Sequence, residues 1–169
     1  METISISQIW RYFRWAPPFV LRRIFTKERL AGMVLVDVRP RHRPVSVNVS
    51  DLGSFSIYFQ IVNMSPFEVE LDRADIKFNC AGVELRAMHI QKAVFKSGEI
   101  GFLYVYGQIS DAQADSIAKL YEKNKSSITL YCDFNCKLHG FKLAHHNLDG
   151  VNVEFINAEY RRKQSEVHT

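Results

Sequence analysis

The chain has no long apolar run. Its longest, Ala16 to Leu21, is six residues and contains two prolines. A spanning helix needs about 20, so none is expected, and the apolar stretch and small-residue cleavage site of a secretory signal are not found either. Cysteine is scarce and odd in number, at three. Secreted domains of this size often pair their cysteines, so a reducing compartment is expected: the cytoplasm, with room for peripheral attachment to a membrane. Five prolines and eight glycines in 169 residues exclude collagen-like and low-complexity chains. Hydrophobic residues at 47% against 24% charged are enough for a packed core and exclude a disordered tail.

Catalytic signatures are missing as well. There is no Gly-x-Ser-x-Gly, no glycine-rich phosphate loop after a strand, and no His-Glu-x-x-His. Glu68, Glu70 and Asp72 alternate outward on one strand, a pattern that solvates an exposed face. The chain is therefore read as non-enzymatic, with no cofactor expected.

Charge is unevenly spread. Residues 1–45 hold nine Lys/Arg against three acids, 46–157 hold ten against thirteen, and the last twelve hold three against two, for a net +4. One basic end on a mildly acidic body suits an anionic surface.

Periodicity divides the chain in three: a basic aromatic helical extension over 1–32, a β-body over 33–157 and a polar tail over 158–169, expected to fray from Tyr160. In the extension, Ser5 and Gln8 have capping-box spacing, and Ile6, Ile9, Trp10 and Phe13 form a helical stripe. Pro18 opens a second helix whose stop is Gly32. From Met33 the period falls to two. Val45–Val49, Phe55–Ile61, Phe67–Leu71, Ile76–Cys80 and Ile128–Leu138 alternate as strands with one buried face. Met33–Val38, Val83–Leu85, Ala93–Phe95 and Val151–Phe155 complete the set. Gly101–Ile109 is apolar on both faces, which predicts a central strand. One helix follows, capped by Ser110 or Asp111, with Ala114, Ile117, Leu120 and Tyr121 as its stripe. Eight or nine closely spaced strands imply antiparallel pairing and an all-β, immunoglobulin-like or fibronectin-like sandwich with one late inserted helix and the N-terminal helical extension.

Two clusters could hold a metal. Cys132 and Cys136, with His139 beyond them, fall within zinc spacing. Both cysteines share the parity of Ile128, Leu130 and Phe134, however, so they read as core side chains. His145 and His146, beside Asn147, Asp149 and Gly150, have the composition of a solvated turn. No metal site is expected.

The run Phe55–Leu71, with Asn63-Met64-Ser65-Pro66 between two strands, resembles the late-embryogenesis-abundant type 2 domain, also called the water-stress and hypersensitive-response (WHy) domain. The later order of strands, turn, long apolar strand and helix resembles it too, over about residues 33–157. The resemblance implies a β-sandwich with a non-enzymatic role in stress protection, membrane attachment or lipid handling, and no catalytic residues. In the turn itself, Asn63 is expected to tolerate left-handed backbone and to bond its own chain, while Pro66 forces its predecessor extended.

The N-terminal extension carries the functional expectation. Trp10, Tyr12, Phe13, Trp15, Phe19 and Phe25 interleave with Arg11, Arg14, Arg22, Arg23 and Lys27. Tryptophan and tyrosine favour the headgroup level of a bilayer and arginine favours anionic lipid. The contact set is Trp10, Arg11, Phe13, Arg14, Trp15, Phe19, Arg22 and Arg23, and its expected partner is an anionic membrane surface or lipid. Three alternatives stand beside it. The helices could cover the domain's own core, or the chain could be a scaffold that docks a partner protein through these helices or an edge strand. Stacking on nucleic acid is the least favoured of the four.

Overall fold

The computed structural model describes residues 16–38, 45–122, 125–148 and 151–167. The expected first helix and the connection around Arg39–Pro44 lie outside these residues. Ten strands are described: β1 (Val34–Val38), β2 (Val45–Asn48), β3 (Ser54–Asn63), β4 (Val69–Cys80), β5 (Val83–His89), β6 (Ala93–Phe95), β7 (Ile100–Gln108), β8 (Ser127–Cys136), β9 (Gly140–Leu148) and β10 (Val153–Ile156). Four helices accompany them: α1 (Pro18–Ile24), α2 (Lys27–Gly32), α3 (Asp111–Leu120) and α4 (Ala158–Val167).

The strands form two five-stranded sheets that share one apolar core. In the first, β3 pairs along its whole length with β7, and its other edge takes β2 and then β1 end to end. β10 lies outside β2 and runs parallel to it, Val153 opposite Val45 and Ile156 opposite Asn48. This sheet is therefore mixed, where the close spacing of strands implied antiparallel pairing throughout. The parallel pair arises because β10 arrives from the far end of the chain, and so no hairpin dictates its direction. In the second sheet β4 is central. It pairs with β8 on one side and with β5 and β6 on the other, and β9 lies outside β8.

Alternation sets which side chains face inward. Val45, Val47 and Val49, then Phe55, Ile57, Phe59 and Ile61, are fully buried, as are Ile128, Leu130, Cys132 and Phe134. The runs Phe67–Leu71 and Ile76–Cys80 are one strand. A register shift between Leu71 and Arg73 inserts an extra residue, so the buried set changes from Val69 and Leu71 to Ala74, Ile76, Phe78 and Cys80.

β7 departs from expectation. It is an edge strand: Leu103 and Val105 are buried, while Ile100, Phe102, Tyr104 and Tyr106 stand on the outer face. Apolar residues on both faces read as a buried centre, but the inward positions at either end are Gly101 and Gly107. A methyl group at either would overlap the ring of Phe95 or Phe55. Glycine lets those two rings close over the strand from the core.

Asn63 is fully buried where β3 ends. Its backbone is not left-handed; among the described non-glycine residues only Ala81 and Asn157 have positive φ. The side chain does the work instead. Its amide nitrogen lies 2.7 Å from the Phe67 carbonyl, 2.9 Å from that of Phe95 and 3.1 Å from that of Lys96. Its oxygen accepts from the Ser65 N–H (3.0 Å) and hydroxyl (2.7 Å). One residue thus joins the end of β3, the approach to β4 and the exit of β6.

The helices close the ends. Ser110 and Gln113 make a complete capping box on α3. The extension's second helix is two: Phe25 leaves helical backbone, and the Thr26 hydroxyl accepts the Arg29 N–H (3.4 Å) to start α2. The residues from Tyr160, expected to fray, belong to α4, which runs from Ala158 to Val167. Arg161 fastens it, with all five guanidinium N–H groups engaged. Nε donates to Asp115 (2.6 Å), one terminal nitrogen to the carbonyls of Val49 and Ser50 (3.0 Å each), and the other to the carbonyl and carboxylate of Asp111 (3.2 Å each).

Candidate functional site

The described part of the basic aromatic extension begins at Ala16. Pro17 and Pro18 start α1 without needing amide donors, and the Pro17 carbonyl accepts from Val20 (3.0 Å) and Leu21 (3.2 Å). Leu21 and Phe25 face inward and are buried. The Phe25 ring meets Phe67 edge-on at 5.1 Å, a favoured aromatic geometry. At the C-terminal end Arg29 donates to the Ile24 carbonyl (2.8 Å), supplying charge where the helix has spare acceptors. The His139 ring nitrogen lies 3.4 Å from the Arg22 carbonyl and ties the helix to the β8–β9 turn. In α2, Leu30 is fully buried.

This packing fixes what α1 shows to the outside. Phe19 is 74% exposed, and Arg22 and Arg23 are exposed beside it. Among the described residues neither guanidinium has a carboxylate partner. Lys27 and Arg29 continue the basic run, against a single acid, Glu28. A backbone hydrogen bond at the start of α2, together with the Thr26 side chain, holds the Glu28 carboxyl below its ordinary range. Of the expected contact set the structure thus places Phe19, Arg22 and Arg23. Trp10, Arg11, Phe13, Arg14 and Trp15 lie outside the described residues.

The two outer sheet faces differ in chemistry. The outer face of the second sheet carries ion pairs: Arg73 with Asp75 (2.9 Å), Arg86 with Glu84 (2.5 Å), Lys92 with Glu70 (2.6 Å) and Lys142 with Asp133 (3.5 Å). Lys92 also lies 3.5 Å from Asp72, so two of the three outward acids, Glu70 and Asp72, are held by a lysine. On β3 and β7 of the first sheet the outer positions carry no charge. They are Ser54, Ser56, Tyr58, Gln60 and Val62, then Ile100, Phe102, Tyr104, Tyr106 and Gln108. The rings of Tyr58 and Tyr104 lie 4.7 Å apart. The reading of the sequence missed this aromatic stripe. Its signal was present in the different occupants of the two parities of β7, small or aliphatic on one and large on the other.

The metal-spaced residues do not converge. Cys132 is buried and Cys136 half-buried on β8, both in the core cluster, and no grouping of three potential metal ligands occurs among the described residues. His145 is not in a turn: β9 continues through it to Leu148, with His145 opposite Leu130. Its alternation with Phe141 and Leu143 was the available signal. The Nε2 atoms of His145 and of His89 are buried without a hydrogen-bond partner among the described residues. They stand on the outermost strands at opposite sides of the second sheet.

Burial pushes the thiols of Cys80 and Cys132 up to about 12. The thiolate is the reactive form, so both are expected to resist iodoacetamide in the native protein at pH 8 and to react once unfolded. Mass spectrometry of intact protein reads this directly. Both thiols hold their protons more tightly folded than unfolded. Stability conferred below about pH 9 is therefore expected to fall as pH rises towards 12, seen as a falling urea midpoint.

No family model and no curated protein matches the chain. Solved structures do. A structural-genomics target determined by X-ray crystallography is 9% identical with a TM-score of 0.48, over 69% of this chain and 84% of that one. A protein from Archaeoglobus fulgidus is 9% identical with a TM-score of 0.41, over 66% and 91%. The solution structure of a candidate late embryogenesis abundant (LEA) protein is 9% identical with a TM-score of 0.36, over 90% and 95%.

Proposed function

We propose that this protein is a non-enzymatic binding domain, an immunoglobulin-like sandwich of the late-embryogenesis-abundant type 2 kind, that attaches to an anionic membrane surface through its N-terminal basic aromatic segment. The observation that carries this reading is the division of labour within α1. Leu21 and Phe25 anchor the helix to the core, so Phe19, Arg22 and Arg23 are presented from a fixed platform. A phenylalanine beside arginines that have no carboxylate partner among the described residues suits the boundary between acyl chains and headgroup phosphates. No helix among the described residues is long and apolar enough to cross a membrane, and the attachment proposed is peripheral. The space between the sheets is filled by Phe55, Phe59, Ile76, Phe78 and Phe134. Lipid is therefore met at the surface and not sheltered inside.

Each basic residue near an anionic leaflet contributes about 1 kcal/mol. Replacing Arg22 and Arg23 together by alanine should therefore weaken binding to phosphatidylserine-containing vesicles roughly 30-fold. Phe19→Ala should weaken it further. Co-sedimentation with phosphatidylserine vesicles, compared with phosphatidylcholine vesicles and with added salt, measures both. Failure to sediment with either vesicle, or sedimentation indifferent to lipid charge, would reject the reading and leave α1 as a platform for a partner protein.

A further inference from the structure

We propose that the free edge of β7 pairs antiparallel with β7 of a second copy of this chain, joining two first sheets into one continuous sheet across a two-fold axis. The hydrogen-bond phase of the strand supplies the first argument. Ile109 donates to the Gly53 carbonyl (2.8 Å), and Asn63 donates to the Glu99 carbonyl (3.0 Å). Bonded pairs with β3 therefore fall on the odd-numbered residues of β7. Antiparallel ladders alternate, so the N–H and C=O groups of Ile100, Phe102, Tyr104, Tyr106 and Gln108 turn to the other edge. Among the described residues no strand pairs there, although β5 of the second sheet approaches β7 at the corner of the sandwich.

That edge lacks the usual protection. Solitary edge strands are short, bulged, or carry lysine or proline. β7 runs nine residues in unbroken register with β3, from Gln108 opposite Ser54 to Ile100 opposite Val62. It contains neither proline nor charge. The other edges are guarded: β5 carries Glu84 and Arg86, α2 packs against β9, and β1 and β10 are short and carry Asp37 and Glu154.

Charge and side-chain chemistry select a second copy as the occupant. A two-fold axis sets a strand against itself, so any charge at the centre would meet its own kind. The stretch from Ile100 to Ser110 has none. Centring the axis on Tyr104 matches the full strand. Tyr104 then faces Tyr104, Phe102 faces Tyr106, and Ile100 faces Gln108. Aromatic cross-strand pairs are among the stabilising ones. The four large side chains are 55%, 60%, 48% and 54% exposed from Ile100 to Tyr106, and pairing brings both sets together on one continuous face. This area is small beside that of an obligate dimer, so the dimer should dissociate on dilution within the range of about 1 mM to 1 µM.

Sedimentation-velocity ultracentrifugation of the full chain across that range tests the proposal. The unmodified protein is expected to pass from dimer to monomer. Tyr104→Lys places a charge on the axis, and Phe102→Pro removes an N–H that points to the free edge and leaves the ladder to β3 intact. Both should be monomeric throughout, with unchanged far-ultraviolet circular dichroism. Register has its own readout: Tyr104→Cys should cross-link under mild oxidation, because facing bonded residues lie about 5.5 Å apart, and Tyr106→Cys should not. A monomer at every concentration, open-ended association, or a dimer that survives both variants would overturn the proposal. Loss or retention of vesicle binding bears only on α1.

Discussion

Replacing Asn63 by alanine should lower the stability of the protein by about 3–5 kcal/mol, the largest effect expected of a single polar substitution here. The amide group sits fully buried and serves both directions. Its two N–H groups are shared among three carbonyls, those of Phe67, Phe95 and Lys96, and its oxygen accepts from Ser65 twice. Alanine orphans the Ser65 N–H and takes a donor from all three carbonyls, although that of Phe67 keeps the Ser65 hydroxyl (2.9 Å) and that of Lys96 keeps the Glu99 N–H (3.0 Å). Each such orphan costs about 1–3 kcal/mol, and some are relieved by relaxation or an entering water molecule. Urea denaturation with linear extrapolation measures the loss, and a loss below about 1 kcal/mol would show that the three segments hold together without the amide. Asn63→Asp should be worse at pH 7, since a carboxylate presents only acceptors to three carbonyls. The site would raise that carboxyl's pKa in the folded state. Acidification from pH 7 to 5 should then recover part of the loss, because the folded form binds the proton more readily than the unfolded form.

Arg161→Ala should cost about 2–3 kcal/mol and loosen α4. The Arg161 side chain is 14% exposed and every guanidinium N–H has an acceptor. Burial opposes its charge, but the carboxylates of Asp115 and Asp111 outweigh that and hold its pKa above the ordinary value. Those carboxylates are themselves well exposed and regain water when the arginine is gone, which keeps the cost below that of a fully buried pair. Lysine should recover little, because a point charge cannot reach three carbonyls and two carboxylates at once. Amide hydrogen exchange should show residues 158–164 losing protection first in Arg161→Ala. Protection unchanged there would mean that packing of Ala158, not the clamp, holds the helix.

Much of the fold was legible because much of it is simple alternation. Phe55, Ile57, Phe59 and Ile61 could hardly be read otherwise, and Ser110 with Gln113 announced α3. Where the pattern is decided by neighbours, reading failed. β7 shows apolar residues on both parities, and only its position beside β3 alone makes it an edge. β9 ends in His-His-Asn, which has turn composition but is held extended by β8. α4 has no apolar stripe, and its place depends on a single arginine meeting two acids more than 45 residues earlier in the chain. Thr26 split one expected helix into two, since a hydroxyl at that point caps better than it continues. The capacity of Asn63 to bond its own chain was legible, and it does so at Ser65; the more distant carbonyls it serves, Phe95 and Lys96, are more than 30 positions away. For the candidate contact set, Phe19, Arg22 and Arg23 stand exposed as the basic aromatic pattern required, whereas the stripe from Ile100 to Tyr106 needed the sheet to reveal it.

The parallel seam between β2 and β10 has a consequence for biosynthesis. β2 leaves the ribosome well before β10, finds β3 within a few residues, and then waits with its other flank open until Val153–Ile156 has been made. Throughout translation that flank is a sticky template for any neighbouring nascent chain. The domain is sealed by its last strand, so holdase chaperones have the longest opportunity to act at Val45–Asn48.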